Sequence, residues 1–91
     1  MNLHQIFNHP NQHPGVAEMC QAGDALLLLQ DAVYAATQEL ALLTIPGLKL
    51  YALENDILAR GITLTNPQIS VINDQQWLAL CIEYHKVISW N

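Results

Sequence analysis

Positive charge is scarce in this chain. Lys49, Arg60 and Lys86 are its only Lys or Arg residues, against eight Asp or Glu, and the net charge is −5. Nucleic-acid binding needs a basic patch to neutralise phosphates, and none can be built here. Docking on an anionic membrane surface is disfavoured for the same reason. Charge of either sign is sparse, at 12% of residues, about half the roughly 25% of an average soluble domain. Apolar runs such as Ala25–Leu29 are far too short to span a bilayer. The N-terminus, Met-Asn-Leu-His, lacks the basic start and apolar stretch of a signal peptide. Cys20 and Cys81, the only cysteines, cannot form a disulfide framework. A reducing cytoplasm fits these absences. No GxGxxG or P-loop pattern follows any strand, so no nucleotide cofactor is expected. No Ser-His-Asp arrangement is readable from spacing.

Apolar residues, by contrast, make up 52% of the 91 positions. That length implies one domain, residues 1–91, and a small domain buries a limited share of its surface. So few charges cannot cover the exterior, so apolar surface is left over once the core is filled. Such patches mark interfaces. Assembly with other subunits is therefore the first functional expectation, independent of any family.

Strand and helix patterns alternate along the chain. Leu3–Phe7 reads as a strand. Residues 8–15, with Pro10 and Pro14, read as a loop. Val16, Met19 and Cys20 fall at helical spacing and predict a short helix ending near Gly23. Ala25–Gln30 suits a strand buried on both faces. Asp31 is placed to cap the next helix, with Val33, Ala36, Leu40 and Leu43 on one side, stopped by Pro46-Gly47. Lys49–Leu53 predicts a strand and Asn55–Arg60 a helix ended by Gly61. Gln68–Ile72 predicts another strand. Asn73 with Gln76 forms a capping-box pattern, opening a helix with Trp77, Leu80, Cys81 and Tyr84 on one stripe and Leu78 and Ile82 beside it. Val87–Trp90 closes the chain as a strand. The order predicts a three-layer α/β/α domain with a mostly parallel sheet of about five strands.

Several of these segments resemble the TusB/DsrH family. Gly23-Asp24 through Ala36 is similar to that family's second strand and following helix. Leu3-His4, Leu50 through Asp56, Leu58 through Gly61, and Ser89-Trp90 resemble further landmarks in the same order. The resemblance covers nearly the whole chain and leans toward TusB. It implies a DsrE/F/H-like fold and assembly with TusC-like and TusD-like subunits into a heterohexamer, a dimer of heterotrimers. It implies a relay in which sulfur arrives from TusA and leaves through TusE, ending in 2-thiouridine at the wobble position of tRNA. A DsrH-like sulfurtransferase in sulfur oxidation and a homo-oligomeric binding module unrelated to sulfur are the alternatives.

Persulfide transfer needs an accessible cysteine with a lowered pKa. Cys20 is the candidate, because DsrH-type chains carry a cysteine in their first helix. Its surroundings favour a buried role instead. It lies near a helix C-terminus, where the dipole opposes a thiolate, and shares a stripe with Val16 and Met19. The family's cysteine falls several residues earlier, near Val16. Cys81, between Leu80 and Ile82, reads as a buried hydrophobe. His9 and His13 have metal-ligand spacing, but Pro10 and Pro14 oppose a helix there and no third ligand is near, so no metal is expected. His4 reads as a hydrogen-bonded strand residue and His85 as a helix C-terminal partner. Asp31 follows a buried strand where α/β sheets bind ligands, yet an acidic cap repels phosphate. Trp77, Ile88 and Trp90 are interface candidates, with Trp90 either tucked into the core or offered to a partner. The expected role is thus structural, with no catalytic residue of its own.

Overall fold

A computed structural model describes residues 1–37, 44–64 and 66–91. Five strands form one sheet: β1 (Asn2–Ile6), β2 (Ala25–Leu28), β3 (Lys49–Leu53), β4 (Ile69–Ile72) and β5 (Lys86–Trp90). The spatial order is β4-β3-β2-β1-β5, and every neighbouring pair is parallel. Three α-helices accompany them: α1 (Gly15–Met19), α2 (Glu54–Ala59) and α3 (Asp74–Glu83). Short 3-10 segments cover Pro10–Gln12 and Gln30–Thr37.

The order decides where the helices lie. From β1 to β4 the chain steps always in the same direction across the sheet. Right-handed crossovers put all those connections on one face. The β4 to β5 connection runs back to the far edge, so α3 must lie on the opposite face. The two hydrophobic clusters follow this division. One joins Ile6, Leu26, Leu28, Leu50 and Ala52 of the sheet to Val16 of α1, Val33 of the 3-10 segment and Ile57 of α2. The other joins Leu3, Leu27 and Leu53 to Trp77 and Leu80 of α3. Alternation along each strand supplies both clusters. The central strand β2 is buried at every position, as its continuous Leu run requires.

The two faces are unequally covered. Five strands at about 4.8 Å spacing make a sheet about 20 Å wide, and one helix covers about 10 Å of it. α3 is the only helix on its face among the described residues, so that face stays partly open. Val87 of β5, in register with Leu3, points to this side and is exposed. At the other edge an open cleft of about 310 Å³ is lined by Leu48, Lys49, Leu50, Tyr51, Gln68 and Ser70.

Three sequence expectations need correction. The segment after β2 is a 3-10 helix, not an α-helix, as far as Thr37. Three residues per turn stack Ala32 on Ala35 and Val33 on Ala36, and all four are buried. Leu40 and Leu43, expected on the same helix, lie outside the described residues. Asp31 is not an N-cap, because it sits inside this segment. Met19 leaves the apolar stripe: α1 ends at it, and the side chain is exposed while Val16 and Cys20 are buried. The capping box is present as read, with Asn73 Oδ1 accepting from Gln76 N and Gln76 Oε1 accepting from Asn73 N, each at 2.9 Å.

Candidate functional site

Cys20 is the residue whose chemistry the sequence brought into question. It follows the last residue of α1, and its own N–H donates to Val16 O at the C-terminus of that short helix. Its side chain packs into the cluster shared by α1, α2 and the sheet and is 6% exposed. Burial, and then the nearby Asp24 carboxylate, push its pKa up to about 11. The thiol is therefore held protonated and shielded, opposite to what attack on a persulfide requires. Cys81 is half-buried against the α3 cluster.

Beside Cys20 the fold assembles a buried polar chain from three distant segments. Trp90 Nε1–H donates to His4 Nδ1 at 3.2 Å. That bond makes Nδ1 an acceptor and leaves the ring proton on Nε2, which donates to Asp24 Oδ2 at 3.2 Å. The Asp24 carboxylate also accepts Asn2 N–H at 2.9 Å and Gln21 N–H at 3.1 Å. Burial alone would raise the Asp24 pKa, but the two backbone donors and His4 outweigh it and hold the carboxyl below its ordinary 3.8. Asp24 immediately precedes β2 and His4 is central in β1, so the pair sits at the amino end of the sheet. A polar residue flanking an all-apolar strand was the signal in the sequence, but Asp24 had no partner identifiable by spacing. His4 was read as a bonded strand residue, and it is one.

Trp90 is therefore engaged inside the fold. Its ring lies 6.3 Å from His4 and 6.2 Å from His13, and it packs partly buried against the sheet. Its indole N–H is committed to His4 within the fold, while the side chain stays half-buried. Trp77 is similar, donating Nε1–H to Gln5 Oε1 at 2.7 Å. Ile88 is half-buried on β5, on the His4 side of the sheet.

The carboxyl end of the sheet, where open α/β folds bind ligands, carries a different cluster. Gln30, two residues past the end of β2, adopts a left-handed φ of 49°, and its N–H is received by Asp56 Oδ2 at 2.8 Å. Arg60 pairs with Asp31 at 3.0 Å and with Asp56 at 3.5 Å. Asp31 thus serves as an ion-pair partner. Both carboxylates face one guanidinium, which leaves no surplus positive charge for an anion. His9 Nδ1 accepts Asn11 N–H, while His13 lies against Trp90; the two are not brought together as ligands. Among the described residues no group of three His, Cys, Asp or Glu could hold a metal ion. No helix there is long and apolar enough to cross a membrane. His85 is exposed after α3.

The outer side of α3 exposes two large aliphatic side chains. Leu80 is buried and Trp77 and Cys81 are half-buried toward the sheet, whereas Leu78 and Ile82, four residues apart, are 63% and 77% exposed. Four-residue spacing puts both on one stripe.

Comparison with known proteins shows the family. A family model described as "DsrH like protein" matches residues 9–87. Protein TusB of Serratia proteamaculans (strain 568) is 37% identical over 94 residues, covering 97% of this chain and 99% of its own. Protein TusB of Escherichia coli (strain K12) is 32% identical with the same coverage. Protein TusB of Photorhabdus laumondii is 30% identical over 82% of this chain and 83% of its own.

Proposed function

The chain belongs to the DsrH-like family, and from that membership we propose that it is the TusB-type subunit of a tRNA sulfur-relay complex. The observation that carries this reading is similarity to TusB proteins along nearly the entire length. In this reading the 91 residues act as one DsrEFH-like domain in the cytoplasm. It assembles with TusC-like and TusD-like subunits as a dimer of heterotrimers. The complex receives sulfur from TusA and passes it on through TusE toward 2-thiouridine at the tRNA wobble position.

The role within that complex is structural. Cys20 is buried with its pKa raised, and Cys81, a residue of α3, is half-buried against the sheet-side cluster. Cys20 thus lacks the exposure and stabilised thiolate that a sulfur carrier needs, and Cys81 is only half-exposed. The subunit contributes shape and contact area, and the reactive cysteine belongs to a partner.

Two measurements test this together. The tagged chain is co-expressed with the TusC-type and TusD-type chains of the same organism, and the product is sized by light scattering; one complex containing two copies of each is expected. Nucleoside mass spectrometry of tRNA is then compared between a deletion strain, the wild-type gene and Cys20→Ala. Deletion is expected to lower wobble 2-thiouridine, and C20A to restore it. No assembly with those chains, or unchanged thiolation on deletion, would refute the assignment. Failure of a folded C20A to restore, with an added sulfur on the Cys20 peptide of the wild-type protein, would refute the structural role.

A further inference from the structure

We propose that the outer stripe of α3, centred on Leu78 and Ile82, is the docking surface for a different subunit that presents an apolar groove with a basic rim. This rests on the reading of the chain as a subunit and adds which face is used and what chemistry meets it. The first observation is exposure. Leu78 and Ile82 are large aliphatic side chains 63% and 77% open to solvent on the same helix whose other side is packed. They lie on the face that one helix covers incompletely, with Val87 of β5 exposed on the same side.

The second observation is charge, and it selects the occupant. The only charged residues in α3 are Asp74 and Glu83. Its last turn carries no basic residue, so Glu83 adds to the negative end of the helix dipole instead of offsetting it. Lys86 is in register with Asn2, which puts it on the side of His4, away from α3. Lys49 faces the α3 side from β3 and makes no ion pair among the described residues. A second copy of this chain would bring another pair of acidic helix ends against these. A partner with Lys or Arg around an apolar groove complements both the stripe and its flanks.

The test uses the co-expressed complex with TusC-type and TusD-type chains. Leu78→Gln/Ile82→Gln is compared with wild type and with Leu58→Gln, an equally exposed aliphatic residue on α2 across the sheet. The double variant is expected to weaken association by roughly 10–100-fold, and L58Q to leave it unchanged. Glu83→Lys is expected to weaken it and to flatten its salt dependence. Hydroxyl-radical footprinting of the wild-type protein, alone and in the complex, is expected to show Leu78 and Ile82 protected on assembly, and does not depend on any variant folding. Wild-type assembly that the folded double variant reproduces, or unprotected Leu78 and Ile82, overturns this docking face while leaving the subunit assignment intact. An E83K complex as tight as wild type overturns the basic rim. A homodimer of the isolated chain that L78Q/I82Q dissociates overturns the choice of occupant. A wild-type chain that fails to assemble refutes the subunit reading itself, and this inference with it.

Discussion

Replacing Asp24 by alanine removes the acceptor on which three donors converge. Asn2 N–H, Gln21 N–H and His4 Nε2–H all point at this carboxylate, at 2.9, 3.1 and 3.2 Å. The His4 ring is fully buried and cannot recruit water, whereas the two backbone donors are only part-buried. An unsatisfied buried donor costs about 1–3 kcal/mol, and water relieves part of the cost at the other two. D24A should therefore lose about 3–4 kcal/mol, a large share of the roughly 5–15 kcal/mol of a small domain. Asp24→Asn offers no escape. Its carbonyl oxygen can take the place of Oδ2 and accept from His4 and Gln21, but its NH₂ then faces Asn2 N–H. A tautomer switch of His4 would only turn an Nδ1–H onto Trp90 Nε1–H. D24N should still lose about 2–3 kcal/mol. The pH dependence has a definite sign. The folded carboxyl lies below its ordinary 3.8. Its contribution is thus present above that value and lost as pH falls through the folded pKa. Urea denaturation followed by tryptophan fluorescence at pH 7 and at descending pH checks both points, since Trp90 terminates the same chain of bonds. A D24A loss under about 1 kcal/mol, or a D24N protein with the wild-type acid slope, would refute the reasoning.

Cys20 should resist alkylation in the folded protein. With its pKa near 11, its thiolate fraction at pH 8 is roughly 100-fold below that of a free cysteine, before shielding is counted; labelling and peptide mass mapping at pH 8 would show it. The same raised pKa stabilises the fold fully below the ordinary 9.0 and progressively less as pH rises toward 11, a slope that a folded Cys20→Ala should lack in urea titrations. Gln30→Gly should raise stability by about 0.5–1 kcal/mol, because a side chain at φ 49° carries a left-handed penalty that glycine lacks; a lower urea midpoint would contradict this. Asn73→Ala should cost about 1 kcal/mol by opening the capping box of α3, measured the same way.

Much of the local structure was legible because it depends on neighbours in sequence. Asn73 and Gln76 are three apart, and their reciprocal bonds follow from that spacing. β3 was readable to the residue as Lys49–Leu53, and the Leu run of β2 declared burial on both faces. The 3-10 geometry after Gln30 was not legible. Small apolar residues suit either helix type, and the N–H that opens the segment is taken up by Asp56, 26 positions away.

Composition alone determined that apolar surface would be left over, because so few charges cannot cover a domain of this size. It could not say where. That was decided when right-handed crossovers sent α1, the 3-10 segment and α2 to one face and left α3 on the other. Tertiary structure also decided the fate of His4, Asp24 and Trp90, whose bonds span 20 and 86 positions. Local preference reaches only a few residues along the chain. Pairing across a sheet depends on strand order and register, and these exist only once the whole chain has folded.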